Sequence, residues 1–317
     1  MNLGSDKMAK YIVKRVLMAL VTILAIASLT FFLMKAIPGN PFLSEKNPPQ
    51  SVINALNEKY GLNKSVPEQY LIYMGNLLRG DLGESIKTQK NYPVARIIKE
   101  MFPTSAKIGA IAISWAVIVG VLLGCISAYY RGRAADSALR VVCTLGISMP
   151  SFVVATLLLL WLCGAGKPFP TIFDGSNWRS YVLPCMALGF YPMCYIARQT
   201  RTSMLDALSQ EYIKTARAKG LLTRKIVLKH ALRNAFIPVL TYLGPQIAFV
   251  LCGGFVVEKV FTIPGLGKYF VQCITNRDYP VIMGTTIFLA SFVIIMNLIV
   301  DLLYKVVDPR INLAKED

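Results

Sequence analysis

Apolar residues are not spread evenly along this chain. They gather into six runs, at residues 16–34, 104–130, 141–162, 181–197, 236–257 and 280–304, with polar sequence between them. A helix crossing a bilayer needs about 20 mostly apolar residues, so each run has the length of a span. The runs differ in texture. The first is nearly unbroken, whereas the third is interrupted by Ser148-Met149-Pro150-Ser151-Phe152, the fourth carries Pro184, Gly189 and Pro192, and the fifth carries Pro238, Gly244-Pro245-Gln246 and Gly253-Gly254. Proline removes a backbone hydrogen bond and bends a helix, so the third span is expected to bend, and the fifth is expected to be loosened. Gly120 and Gly124 stand four apart in the second run, a spacing that lets helix backbones approach but is common in membrane helices.

The polar sequence is organised as well. Residues 35–103 contain no run long enough to cross a bilayer, and 51–60 and 67–79 read as short amphipathic helices. The second has Pro67 in its first turn and Tyr70, Tyr73, Met74 and Leu77 on one side; Gly80-Asp81-Leu82-Gly83-Glu84-Ser85 is a turn. The expected division is 1–34 as tail and first span, 35–103 as an external insert that packs on the spans, and 104–317 as a five-helix core with a loop at 202–235. Residues 164–180 and 258–279 are further external segments.

That loop holds the strongest charge pattern. From Arg198 to Arg233 there are nine cations against Asp206 and Glu211, a net of +7, while residues 35–100 carry nine basic and six acidic residues. Positive charge collects on the cytoplasmic side, so the loop and both termini are expected there. Leu205, Leu208, Tyr212 and Ala216 fall at helical spacing, and Ile226, Ala231 and Leu232 with Lys229 and His230 read as a second short helix after Gly220. A left-handed or tight turn at Gly220 would set the two helices against each other. On charge alone the loop fits equally well a basic connector lying on anionic membrane lipid.

Composition supports the membrane reading: 55% of the 317 residues are hydrophobic, 16% are charged, and the mean hydropathy is +0.51. The formal charge of +17 lies beside apolar spans and not among interleaved aromatics, which argues against nucleic acid as a partner. Ala25-Ile26-Ala27 mimics a leader cleavage site, but it sits in mid-span with Leu29 to Met34 still apolar behind it, so an uncleaved first span is expected. Seven cysteines are scattered without metal-ligand spacing, and His230 is the single histidine, so neither a metal site nor a Ser or Cys triad is expected. Pro264-Gly265-Leu266-Gly267-Lys268-Tyr269 is no phosphate loop, because Tyr269 replaces the hydroxyl that would hold magnesium. Ionisable residues within the six runs are scarce, Asp301 lying near the inner end of the last. An ion-coupled transporter normally needs such groups, so that rival reading is disfavoured; a receptor or assembly scaffold without transport is a further alternative, which copurification with an ATPase would separate.

The segment Glu211-Tyr212-Ile213-Lys214-Thr215-Ala216-Arg217-Ala218-Lys219-Gly220, closing at Ile237-Pro238, resembles the Glu-Ala-Ala loop of ATP-binding-cassette importer permeases in the version of the oligopeptide/dipeptide branch. The likeness extends to Gly80-Asp81-Leu82-Gly83-x-Ser85, Glu258-Lys259-Val260-Phe261, Pro264-Gly265-Leu266-Gly267, Arg277-Asp278-Tyr279-Pro280, Asn297, Asp301 and Asp308-Pro309-Arg310. It implies an all-α polytopic permease of a bacterial or archaeal plasma membrane, with no catalysis of its own. It also implies a similar second permease subunit, two cytoplasmic ATPases holding ATP and Mg, and an external solute-binding protein delivering peptide. Glu211, Tyr212, Ala216, Lys219, Gly220, Ile237 and Pro238 would form the coupling surface; Tyr242, Gln246 and Asn297 are candidate passage-lining residues. Nickel or a chelated metal is the alternative cargo within the same family.

Overall fold

The computed structural model describes residues 3–37, 49–59, 61–164, 166–252 and 254–307. Pro38-Gly39-Asn40-Pro41, Tyr60, Gly253, the side chain of Asp301 and Asp308-Pro309-Arg310-Ile311 lie outside these residues. The described residues are mainly helical, with one small hairpin, and they form two compact units. One is drawn from Met1–Pro103 and Lys268–Leu298, the other from Thr104–Gly267 and Ile299–Ile311.

The first unit begins with α1 (Leu3–Ala36), whose Leu17, Leu20, Val21 and Leu29 are exposed, as expected of a helix facing hydrocarbon. The insert supplies α2 (Gln50–Lys59) and α3 (Val66–Leu78). The backbone N–H of Ser65 donates to Glu68 Oε2 at 3.1 Å, and Pro67 stands in the first turn, so the start of α3 is fixed by its own sequence. The aromatic side of α3 lies on α1. Tyr73 stacks on Phe31 with centroids 5.5 Å apart, Tyr70 stacks on Phe32 at 5.2 Å, and the hydroxyls of Ser28 and Tyr70 are 2.7 Å apart.

A hairpin follows, β1 (Glu84–Ser85) antiparallel to β2 (Tyr92–Pro93). Asp278, fully buried, holds it from far along the chain. The hydroxyl of Ser85 donates to Asp278 Oδ2 at 2.6 Å, and the backbone N–H groups of Ile86, Lys87 and Thr88 donate to the same carboxylate at 3.0, 3.2 and 2.8 Å. A buried carboxylate is stable when donors surround it, and here three of the four are backbone amides.

The second unit contains most of α4 (Val94–Tyr129), then α5 (Ala134–Ser148), α6 (Ser151–Leu162) and α7 (Arg179–Leu208). The bend expected in the third span is far sharper than a proline kink, because α5 and α6 meet at 106°. Met149 and Pro150 are both extended, with ψ of 122° and 140°, since a residue before proline is pushed out of the helical region. The helix therefore ends and restarts. Gly120 and Gly124 mark a true close approach. A side chain at Gly120 would reach to 2.8 Å from the carbonyl oxygen of Met193, and one at Gly124 to 2.5 Å from Thr200, so α4 lies directly against α7.

Beyond α7 come α8 (Glu211–Ala218), α9 (Thr223–Lys225), a π-helical stretch Ile226–Ala231, and α10 (Leu232–Ala235). The remainder is α11 (Ile237–Leu251), α12 (Phe255–Val260), α13 (Leu266–Asn276) and α14 (Tyr279–Val307). Residues 258–279, read from sequence as a plain external segment, are thus largely helical. Among the described residues, five helices are long and apolar enough to cross a membrane, six when the bent α5–α6 pair counts as one span, and each of the six runs overlaps one of them.

Candidate functional site

The basic loop is a folded knob on the ends of α4 and α7. Ile213 and Ala216 of α8, Ile226 and Ala231 of the π-helical stretch and Ala235 of α10 are buried together, against Met204 and Ala207 of α7 and Ala128 of α4. Its cations point outward: Lys214, Arg217, Lys219, Arg224, Lys225, Lys229 and Arg233 are all exposed. Much of the apolar surface is thus packed inside, and the exposed face is mainly cationic, with Leu222 and Leu228 also exposed.

Sequence periodicity placed Leu205, Leu208, Tyr212 and Ala216 on one helix face, and this needs correction. The helix breaks at Ser209 and Gln210, the latter extended at ψ 152°, so α8 starts in a new phase. Ile213 takes the buried position with no exposed surface, while Tyr212 is 39% exposed. Tyr212 instead accepts a hydrogen bond from Asn234 Nδ2 at 2.9 Å, joining α8 to α10. The Ser209-Gln210 pair is the sequence signal that marks the break. Glu211 is exposed and pairs with Lys214 at 2.7 Å, Lys219 and Gly220 end α8, and Gly220 takes φ +73°. Ile237 and Pro238 open α11, where proline costs no backbone bond.

The base of the knob is held by an ion pair that sequence reading passed over. Asp136, in the first turn of α5, is fully buried and paired in bidentate fashion with Arg201 of α7, Nε at 2.7 Å and Nη2 at 2.9 Å. Ser127 Oγ donates to the same carboxylate at 2.6 Å and the Gly132 N–H at 3.0 Å. Every strong acceptor position of Asp136 is thereby used, and α4, α5 and α7 are tied where α7 runs on toward α8. Asp136 lies just ahead of the apolar run, so hydropathy alone could not single it out.

The candidate passage residues fall in different units. Tyr242 and Gln246 are one turn apart on α11 in the second unit, whereas Asn297 belongs to the first. The ring of Tyr242 stacks on Tyr195 with centroids 3.9 Å apart, and its buried hydroxyl has no hydrogen-bond partner among the described residues. Gln246 lines a cavity of about 320 Å³ beside Met149, Pro150, Tyr191 and Phe249, at the α5–α6 bend. Asn297 Oδ1 is likewise buried without a partner among the described residues. Polar atoms left so in an apolar bundle are where a passing polar molecule, water or a neighbouring helix would bind. Among the described residues, no group of three His, Cys, Asp or Glu is placed to hold a metal ion.

These features define a polytopic helical membrane protein whose spans carry a compact basic knob. The family model described as the inner membrane component of binding-protein-dependent transport systems matches residues 120–313, and the model of the N-terminal part of such components matches residues 8–108. The chain belongs to this family: it is a multi-pass inner-membrane transport permease, not an enzyme. It is 46% identical over 312 residues to the dipeptide transport system permease protein DppB of Bacillus subtilis, covering 98% of this chain and 100% of that one. It is 40% identical to the oligopeptide transport system permease protein OppB of Haemophilus influenzae and 39% identical to that of Escherichia coli K12, in both cases over 96% of this chain and 100% of the relative. A solved structure of the MetNI methionine ABC transporter in inward-facing conformations matches 68% of this chain and 97% of its own with a TM-score of 0.52 at 14% identity, a likeness of fold.

Proposed function

We propose that this chain forms one half of the path by which dipeptides or oligopeptides enter the cell, driven by ATP that separate subunits hydrolyse. The observation that carries the reading is end-to-end similarity to dipeptide and oligopeptide permeases at 39–46% identity. The other half is a homologous permease. An external solute-binding protein delivers the peptide, and two cytoplasmic ATPases holding ATP and Mg dock on the knob. The excess of positive charge in 198–233 supports a cytoplasmic loop and cytoplasmic termini in a bacterial or archaeal plasma membrane.

The knob supports coupling in a specific way. Glu211, Tyr212, Lys219 and Gly220 lie on its exposed side while Ala216 anchors it, and Ile237-Pro238 leads directly into α11, the helix of Tyr242 and Gln246. A push on α8 is therefore transmitted to α7 through Met204 and Ala207 and to α11 through α10. ATP-driven closure of the ATPases would bias two arrangements of the spans, inward-open and outward-open.

Vesicles containing the assembled complex, its binding protein and internal ATP should accumulate labelled dipeptide or oligopeptide and ignore nickel ions. Nickel uptake without peptide uptake would replace the cargo assignment by its alternative and leave the permease reading intact.

A further inference from the structure

A second cavity, of about 320 Å³, opens among α4, α5 and α7, with Arg140, Arg198 and Arg201 on its polar side and Leu123, Leu139 and Ala197 on its apolar side. Arginine is charged at every physiological pH, and its planar fork of donors matches the oxygens of a phosphate. Arg201 is satisfied by Asp136. Arg140 is 54% exposed, with Nε 3.7 Å from that same carboxylate, and the guanidinium of Arg198 lies 5.6 Å from the Tyr195 ring centroid. Asp136 is the one carboxylate paired with these three cations among the described residues, so the cavity keeps a surplus of positive charge.

The flanking helices add apolar faces to the arginines. Leu122 and Ile126 of α4 and Val141, Val142 and Leu145 of α5 are exposed, and in a membrane such faces meet acyl chains. A soluble anion would use the arginines and leave the apolar wall bare, whereas a phosphodiester carrying two acyl chains satisfies both. At roughly 30 Å³ per water, the cavity has room for the phosphate and the glycerol beside it.

We propose that this cavity is a binding site for an anionic phospholipid of the cytoplasmic leaflet, its phosphate held by Arg140 and Arg198 and its acyl chains laid along α4 and α5. Basic pockets between spans on that side of a membrane attract anionic headgroups, and each arginine near the surface strengthens the attraction. The lipid would brace α5 and α7 beside the Asp136–Arg201 pair, where the knob is rooted. The site depends on the chain's lying in a membrane and not on its cargo.

The test is native mass spectrometry of the complex purified from its own membranes through a tag on this chain, with lipids added back. Phosphatidylglycerol should be retained by the unaltered complex and held at least tenfold more weakly by the Arg140→Gln/Arg198→Gln pair. The Arg140→Lys/Arg198→Lys pair, which keeps the charge and loses the fork, should fall between. Phosphatidylcholine and inorganic phosphate should fail to compete. The proposal is overturned if neither pair changes retention, if phosphatidylcholine or inorganic phosphate competes equally, or if the Gln pair sheds an ATPase subunit while keeping its lipid. The last outcome would assign the cavity to an acidic side chain of the partner.

Discussion

Gly220 stands at φ +73°, and a side chain placed there would meet nothing within 4 Å. The two facts separate backbone from packing. Alanine should cost about 1–2 kcal/mol for the left-handed conformation and no more, since there is no neighbour to displace. Proline, whose ring fixes φ near −65°, cannot take this turn at all. Trypsin, cutting at Arg217 and Arg224, reads the difference: at these sites Gly220→Ala should be cleaved nearly as slowly as the unaltered chain and Gly220→Pro much faster. The need for a turn at Gly220 was legible in the sequence, because glycine after Lys219 interrupts a helical pattern. The role of Asp136 was not, since one carboxylate among Arg131, Arg133 and Arg140 gives no sign that it turns inward. Arg201→Met strands that carboxylate, 1% exposed, without its counter-charge and should cost about 3–5 kcal/mol, read as a lower melting temperature of the purified complex. Arg140→Met, by contrast, removes a partner 54% exposed and should cost under about 1 kcal/mol.

Among the elements, α3 could be placed from sequence because its start signal and its periodicity agree: Pro67 stands in its first turn, and Tyr70 and Tyr73 mark the side it lays on α1. The knob was harder. One helical phase drawn from Leu205 to Ala216 crosses the break at Ser209-Gln210, and so chose Tyr212 over Ile213 for the buried face. The π-helical stretch Ile226–Ala231 adds a second phase change that a 3.6-residue pattern does not anticipate. The structure ranks the two neighbours: Ile213→Ala empties a site with no exposed surface and should cost about 2–5 kcal/mol. Tyr212→Phe loses one hydrogen bond to Asn234, about 1 kcal/mol. Hydrogen exchange over residues 211–235 should quicken markedly in Ile213→Ala and little in Tyr212→Phe.

Across the whole molecule, class was written in the chain more plainly than contact. Six apolar runs and their flanking charges gave the spans, yet no spacing argument could join Ser85 to Asp278, 193 residues apart. Both motifs had stood out only as family resemblances, and the structure gives them a shared physical purpose, a buried carboxylate closing a hairpin. Tyr242, Gln246 and Asn297 remain polar groups in an apolar setting, split between two units, and their place along a passage is a proposal that follows from the permease reading.

We propose that energy enters through the knob. Glu211 is a sharp probe of docking, because its exposed pairing with Lys214 contributes little to the fold. Glu211→Lys should therefore leave the chain folded while weakening its hold on the ATPases. The most direct measurement takes the assembled complex in vesicles and records ATP hydrolysis and labelled peptide uptake together, for the unaltered chain and for Gly220→Pro. Hydrolysis that continues while uptake falls to background in Gly220→Pro, with all subunits still present, is the predicted result. Uptake at the unaltered rate in that variant, or uptake that persists without ATP and collapses with an ion gradient, would contradict it.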